Sequence, residues 1–82
     1  MIDETQGIEI LKKRVEYFFK NQIPIHISLK TERWLNGIIL EVSDEFFILK
    51  EFKEGEKPIF YIEILPNGIE PFTEGEKKKN EV

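Results

Sequence analysis

The chain has no cysteine and a single histidine, His26, among its 82 residues. The first absence excludes disulfides and thiolate metal sites, and the two together leave no ligand set for zinc. Positive charge is also in short supply: 12 Lys and Arg stand against 16 Asp and Glu, a net charge of −4. Broad, sequence-independent binding to a phosphate backbone needs a positive surface, so the charge balance argues against it, while leaving room for a local pocket. No apolar run approaches the ~20 residues of a membrane-spanning helix. The opening "MIDETQGIEI" has neither a basic n-region nor a long apolar core, so no signal peptide is expected there. No phosphate-cradling glycine loop, nucleophile–base pair or metal motif is present. Glu41, Asp44 and Glu45 form a carboxylate cluster, but acid–base catalysis needs such a group in a cleft with a partner, and nothing in the sequence places these in one. The expectation is a soluble cytoplasmic protein that is not an enzyme and uses no cofactor.

Apolar residues make up 40% of the chain, enough for one folded domain. At this length a core is marginal on its own. With disulfides and metals set aside, association with further copies is the natural reinforcement.

Residues 3–21 read as one helix. Ile8, Leu11, Val15, Phe18 and Phe19 fall on one stripe at helical spacing. Asp3 with Gln6 reads as a capping box, and Asn21 and Pro24 as the stop. Lys12, Lys13, Glu16 and Lys20 lie on the other face. "IPIHISLK" then alternates, with Ile23, Ile25, Ile27 and Leu29 on one side and His26, Ser28 and Lys30 on the other, as a half-buried strand does. "KTER" is a short hairpin connection. "RWLNGIILEV" is a second strand in which Gly37 marks a bend or bulge. Leu35 and Ile39 share its inner face, while Trp34, Ile38 and Leu40 face outward. "SDE" is a turn, "FFILKEF" a third strand, "KEGEK" a charged loop, "PIFYIEIL" a fourth strand, "PNG" a turn and "IEPF" a short fifth strand. "TEGEKKKNEV", residues 73–82, reads as a disordered tail. The fold class expected is mainly β: an N-terminal helix and a five-stranded, strongly bent antiparallel barrel, the whole domain spanning 3–72 and the barrel 22–72.

The strands carry more apolar surface than one interior can take. Trp34, Ile38, Leu40, Phe47, Leu49 and Tyr61 cannot all point inward with their neighbours. A neighbouring copy would cover part of the surplus and also pair with an open edge strand, which is otherwise an aggregation hazard.

The succession of a helix, "IPIHISLKTERWLNGIILEVSDEFFILKEF" and "KPIFYIEILPNGIEPF" resembles the Sm-like family, with its Hfq-like and archaeal branches, over about residues 5–72. The resemblance rests on the alternating first strand, mid-strand Gly37, the acidic turn before an apolar third strand, and the final pair of short strands. It implies a homo-oligomeric ring, a hexamer or heptamer, built through edge strands four and five and binding single-stranded RNA. Counted from Gly37, the family's first-motif positions fall on Ser43 and Phe47, with Asp44 one place late. In the second motif Tyr61 keeps the Hfq-like tyrosine, whereas Ile62 and Glu63 stand where a basic pair is usual. The RNA contacts implied are Ser43, Asp44, Phe46, Phe47 and Tyr61, with Lys13 and Lys20 on a phosphate path. The contacts between copies are Phe60, Ile62, Ile64, Ile69 and Phe72. The missing basic pair and the acidic charge leave a second reading open: a protein-interaction module on the same barrel, binding a partner by strand addition or through the aromatic patch, without RNA.

Overall fold

A computed structural model describes residues 4–72; the expected Asp3 cap and the tail 73–82 lie outside the described residues. Helix α1 spans Glu4–Lys20 and is followed by β1 Ile25–Leu29, β2 Trp34–Val42, β3 Phe46–Glu51, β4 Gly55–Phe60, a 3₁₀ turn η1 at Tyr61–Glu63, and β5 Ile64–Pro71. The strands form one antiparallel sheet in the order β4-β3-β2-β1-β5. This is the helix-then-five-strands arrangement expected from the alternation of apolar residues.

The helix stripe behaves as its spacing requires. Leu11, Val15 and Phe18 are buried and join Ile25, Ile27, Leu35, Ile39, Phe47, Leu49, Ile59, Tyr61, Ile64 and Ile69 in a single core, with Ile8, Phe19 and Ile23 packed at its margin. Each such side chain contributes about 1.5–3 kcal/mol by leaving water. Gly37 is where β3 crosses closest. A Cβ there would lie 2.2 Å from the Lys50 carbonyl oxygen, so no larger residue fits without parting β2 from β3.

The surplus of apolar residues divides between the two faces, as six side chains that cannot all point inward must. Trp34 and Leu40 do face out, at 59% and 42% exposure, but Phe47 and Leu49 are wholly buried and Tyr61 nearly so. The pairing of Leu49 with inward-facing Ile39 puts Phe47, Leu49 and Glu51 in the inner row of β3, and Phe46, Ile48 and Lys50 in the outer row. Beyond Ile39 the strand bulges: the next pair is Glu41 with Ile48, so Leu40 has no partner, β2 turns more tightly there, and Val42 rather than Glu41 comes opposite Phe47.

Three boundaries also differ. The "KEGEK" loop shrinks to a turn over 52–54 and β4 starts at Gly55, because the Glu51 carboxylate accepts the Lys53 and Glu54 N–H groups, each at 2.7 Å, and closes the turn early. The fourth strand ends at Phe60, and η1 makes the corner into β5. The "PNG" segment lies inside β5. Asn67 has the positive φ of 58° that turn chemistry favours for asparagine. Gly68 then lets the backbone pass so close to β1 that a Cβ would be 2.7 Å from the Ser28 oxygen. Turn residues here bend a strand rather than end it.

Strands β4 and β5 are the two outer strands of the sheet, so each has one side without a partner among the described residues. The Tyr61 N–H donates to the Glu45 oxygen at 3.1 Å. The alternation of an antiparallel ladder then turns Lys57 and Ile59 toward β3, and Glu56, Pro58 and Phe60 toward the open side. Pro58 has no N–H to offer there, and the Phe60 N–H is received by the Glu63 carboxylate at 3.3 Å.

Candidate nucleic-acid interface

The corner between the β2–β3 turn, η1 and the helix gathers most of the residues that the sequence points to. Ser43 closes the turn, its N–H donating to the Phe46 oxygen at 2.8 Å. The Tyr61 hydroxyl donates to the Ser43 carbonyl at 2.9 Å, and so bolts η1 to a turn 18 residues away. Burial pushes the Tyr61 phenol up to about 12, with the nearby negative charges of Glu16 and Asp44 adding to the effect. It stays a neutral donor at physiological pH. Lys12 reaches Asp44 at 3.7 Å from the helix. This exposed pair contributes little to stability.

Two aromatic pairs stand at this corner. Phe47 and Tyr61 lie 5.8 Å apart, centroid to centroid, and Phe46 and Phe60 5.4 Å apart. They differ in access. Phe47 and Tyr61 are 0% and 2% exposed, which leaves no ring face open to a base, whereas Phe60 is exposed and Phe46 half-buried. Any stacking surface at this corner therefore belongs to the outer pair. Ser43 is half-buried and Asp44 is exposed; Lys13 and Lys20 are exposed on the helix. Among the suggested contacts between copies, Phe60 and Ile62 present apolar side chains to the surface and Phe72 is half-buried, while the side chains of Ile64 and Ile69 lie in the chain's own core.

The outer face of the sheet holds further aromatic surface that the strand pattern hinted at but did not single out. Phe52 continues the outer row of β3, is 54% exposed, and meets Phe72 at 5.7 Å. The spacing 46, 48, 50, 52 was the available signal. His26, expected as an ordinary surface histidine, tilts against Trp34 at 5.6 Å, and its Nδ1 lies 2.6 Å from the Asn36 side-chain oxygen. That contact makes Nδ1 the protonated nitrogen, since an amide oxygen only accepts.

The second anchored turn is that of Glu51. Burial pushes its pKa up, but the N–H groups of Glu54, Lys53 and Asn36, with the charge of Lys57, outweigh that effect and hold the carboxyl below its ordinary 4.5. Glu54 is also lowered, by the hydrogen bond and charge of Lys57 and to a lesser degree by Arg33. Among the described residues no three His, Asp or Glu side chains are placed to hold a metal ion. No helix among them is long and apolar enough to cross a membrane.

No protein-family model matches the chain, and no curated protein matches it by sequence. A solved structure does match by shape: the 1.55 Å crystal structure of Hfq, described as the pleiotropic translational regulator, with a TM-score of 0.60 and 21% identity. The match covers 68% of this chain and 92% of that one. With the helix, the five-strand order and the Tyr61 corner in place, the chain has the Sm-like fold of Hfq.

Proposed function

We propose that the chain assembles head to tail, the open side of β4 against the open side of β5, into a ring of six or seven copies that binds single-stranded RNA. The observation that carries the assembly is a sheet with both outer sides unpaired, together with Phe60, Ile62 and Leu65 left exposed on or beside those strands. A contact between two different edges of one sheet is heterologous, and such contacts close into rings when the rotation permits. RNA as the ligand is supported by the likeness to a translational regulator and by the exposed aromatic side chains, since stacking contributes about 1–3 kcal/mol per base. Phe46, beside the Phe60 contact, serves as the stacking surface, Ser43 and Asp44 address base edges, and Lys13 and Lys20 guide phosphates. A cytoplasmic, non-catalytic role goes with this reading.

Mass in solution tests the assembly. The wild-type chain is expected at a multiple of its 9.8 kDa by light scattering, and Phe60→Asp and Ile62→Asp are expected to lower that mass. A single-copy mass for the wild type at high concentration sinks the ring. Titration with oligo-U and oligo-A at two salt concentrations tests the ligand, with micromolar or better affinity that weakens as salt rises as the expected result.

One observation favours a second reading. Ile62 and Glu63, both exposed, put an apolar and an acidic side chain where the Sm-like pattern has a basic pair. A barrel of this kind also suits a protein partner added as a strand to an open edge. Failure of both oligomers to bind at low salt, with assembly intact, selects that reading.

A further inference from the structure

We infer that the cleft between the first half of α1 and the η1–β5 segment is a binding site for a small amphipathic carboxylate. The cleft measures about 310 Å³ and is lined by buried Leu11 and Ile64, half-buried Ile8 and exposed Pro66, with the exposed Ile10 and Ile62 at its mouth. Among the described residues, Arg14 and Lys30 are the only charged side chains lining it. In a chain whose acids outnumber its bases 16 to 12, a lining with two cations and no carboxylate departs from the rest of the surface. Neither cation is in an ion pair among the described residues. Arg14 uses one N–H group to reach the Ile69 carbonyl, which fixes the guanidinium beside the cleft and leaves its other donors available.

The chemistry of the lining selects the ligand. Ile10 and Ile62 stand 47% and 54% exposed at the entrance, so an apolar body covers surface that water now wets. A nucleobase fits less well, because its donor edges need acceptors, and besides the donors of Arg14 and Lys30 the lining side chains supply little beyond the Asn67 amide. The Tyr61 hydroxyl is already committed to Ser43. A hydrocarbon chain with one anionic head satisfies both parts: the chain on the isoleucines and the carboxylate between Arg14 and Lys30, where charge-assisted hydrogen bonds are the strong ones. The volume is at the small end of ligand pockets and suits a ligand of about ten non-hydrogen atoms. This inference does not rest on the RNA reading, and its cleft shares Ile62 with the contact between copies proposed above.

The test uses the full chain, octanoate as the probe, and 1-octanol as the uncharged probe of equal length, followed by amide chemical shifts. Octanoate is expected to give saturable shifts at Gly7, Leu11, Ile62 and Asn67 with half-saturation near 1 mM, a typical affinity for a ligand this small. Octanol and the variant Lys30→Gln are each expected to bind about tenfold more weakly, the effect of losing one charged contact. Lys30 is exposed, so that variant folds. Shifts that do not saturate, shifts confined to the outer sheet face, or equal binding of octanol and octanoate overturn the assignment.

Discussion

The two turns that flank β3 are held in opposite ways. At one end, the turn over 52–54 is clasped by its own neighbour: the buried carboxylate of Glu51 accepts N–H groups two and three residues on, and a third from Asn36 across the sheet. At the other end, the turn at Ser43 is held by a neutral phenol arriving from η1. The first is local and ionic, the second distant and uncharged. A local clasp forms with the hairpin itself. The distant bolt needs β4 in place and the corner turned, so the candidate site rests on a contact between segments 18 residues apart.

The difference can be broken at either end. Glu51→Ala is expected to have the largest effect, a loss of about 2–3 kcal/mol in chemical denaturation, because it strands buried or half-buried N–H groups as well as removing charged hydrogen bonds. Tyr61→Phe keeps the ring in the core and removes one hydrogen bond, so about 1 kcal/mol is expected. If Tyr61→Phe proves the costlier of the two, the assignment of the stronger anchor to Glu51 is wrong. Asp44→Asn, which touches only an exposed ion pair, is expected to change stability by less than about 0.5 kcal/mol.

Acid and base sharpen the same contrast. Glu51 has a folded pKa lowered from 4.5. Its stabilisation is present above the unfolded value and is lost as pH falls below about 4.5 toward the folded value. Tyr61 has a folded pKa raised from 10.0 to about 12. Its stabilisation is present below pH 10 and is lost as pH rises from 10 through 12. Thermal melts across pH are expected to show Glu51→Gln flattening the acid limb and Tyr61→Phe flattening the alkaline limb. A variant that flattens the opposite limb contradicts the pairing of group and turn.

Much of the architecture was legible in the alternation of apolar residues. The helix stripe Leu11, Val15, Phe18 and the inner row Ile25, Ile27, Leu35, Ile39 follow from periodicity alone, because burial on one face leaves that imprint directly. What sequence concealed were features made by contacts between distant residues. The bulge leaves Leu40 unpaired and brings Val42, not Glu41, opposite Phe47, since one unpaired residue shifts everything that follows in β2 to the other face. Asn67 and Gly68 carried a true turn signal, yet packing against Ser28 kept the strand running. The candidate site was legible in part. Family likeness picked out Ser43, Asp44, Phe46, Phe47 and Tyr61, and the structure does gather them at one corner. Which of the rings face water was not readable, because that depends on the register of β3 against β2.

The proline in the middle of β4 has a bearing on life in a crowded cell. An outer strand with an uninterrupted ladder accepts almost any extended peptide. Here the sequence of hydrogen-bond donors is broken at Pro58, and the next is engaged by Glu63. Stray strands therefore find a defective template. Only a surface shaped to supply side-chain contacts across that gap gains enough to stay, so one cyclic residue makes the border of the sheet discriminating instead of sticky.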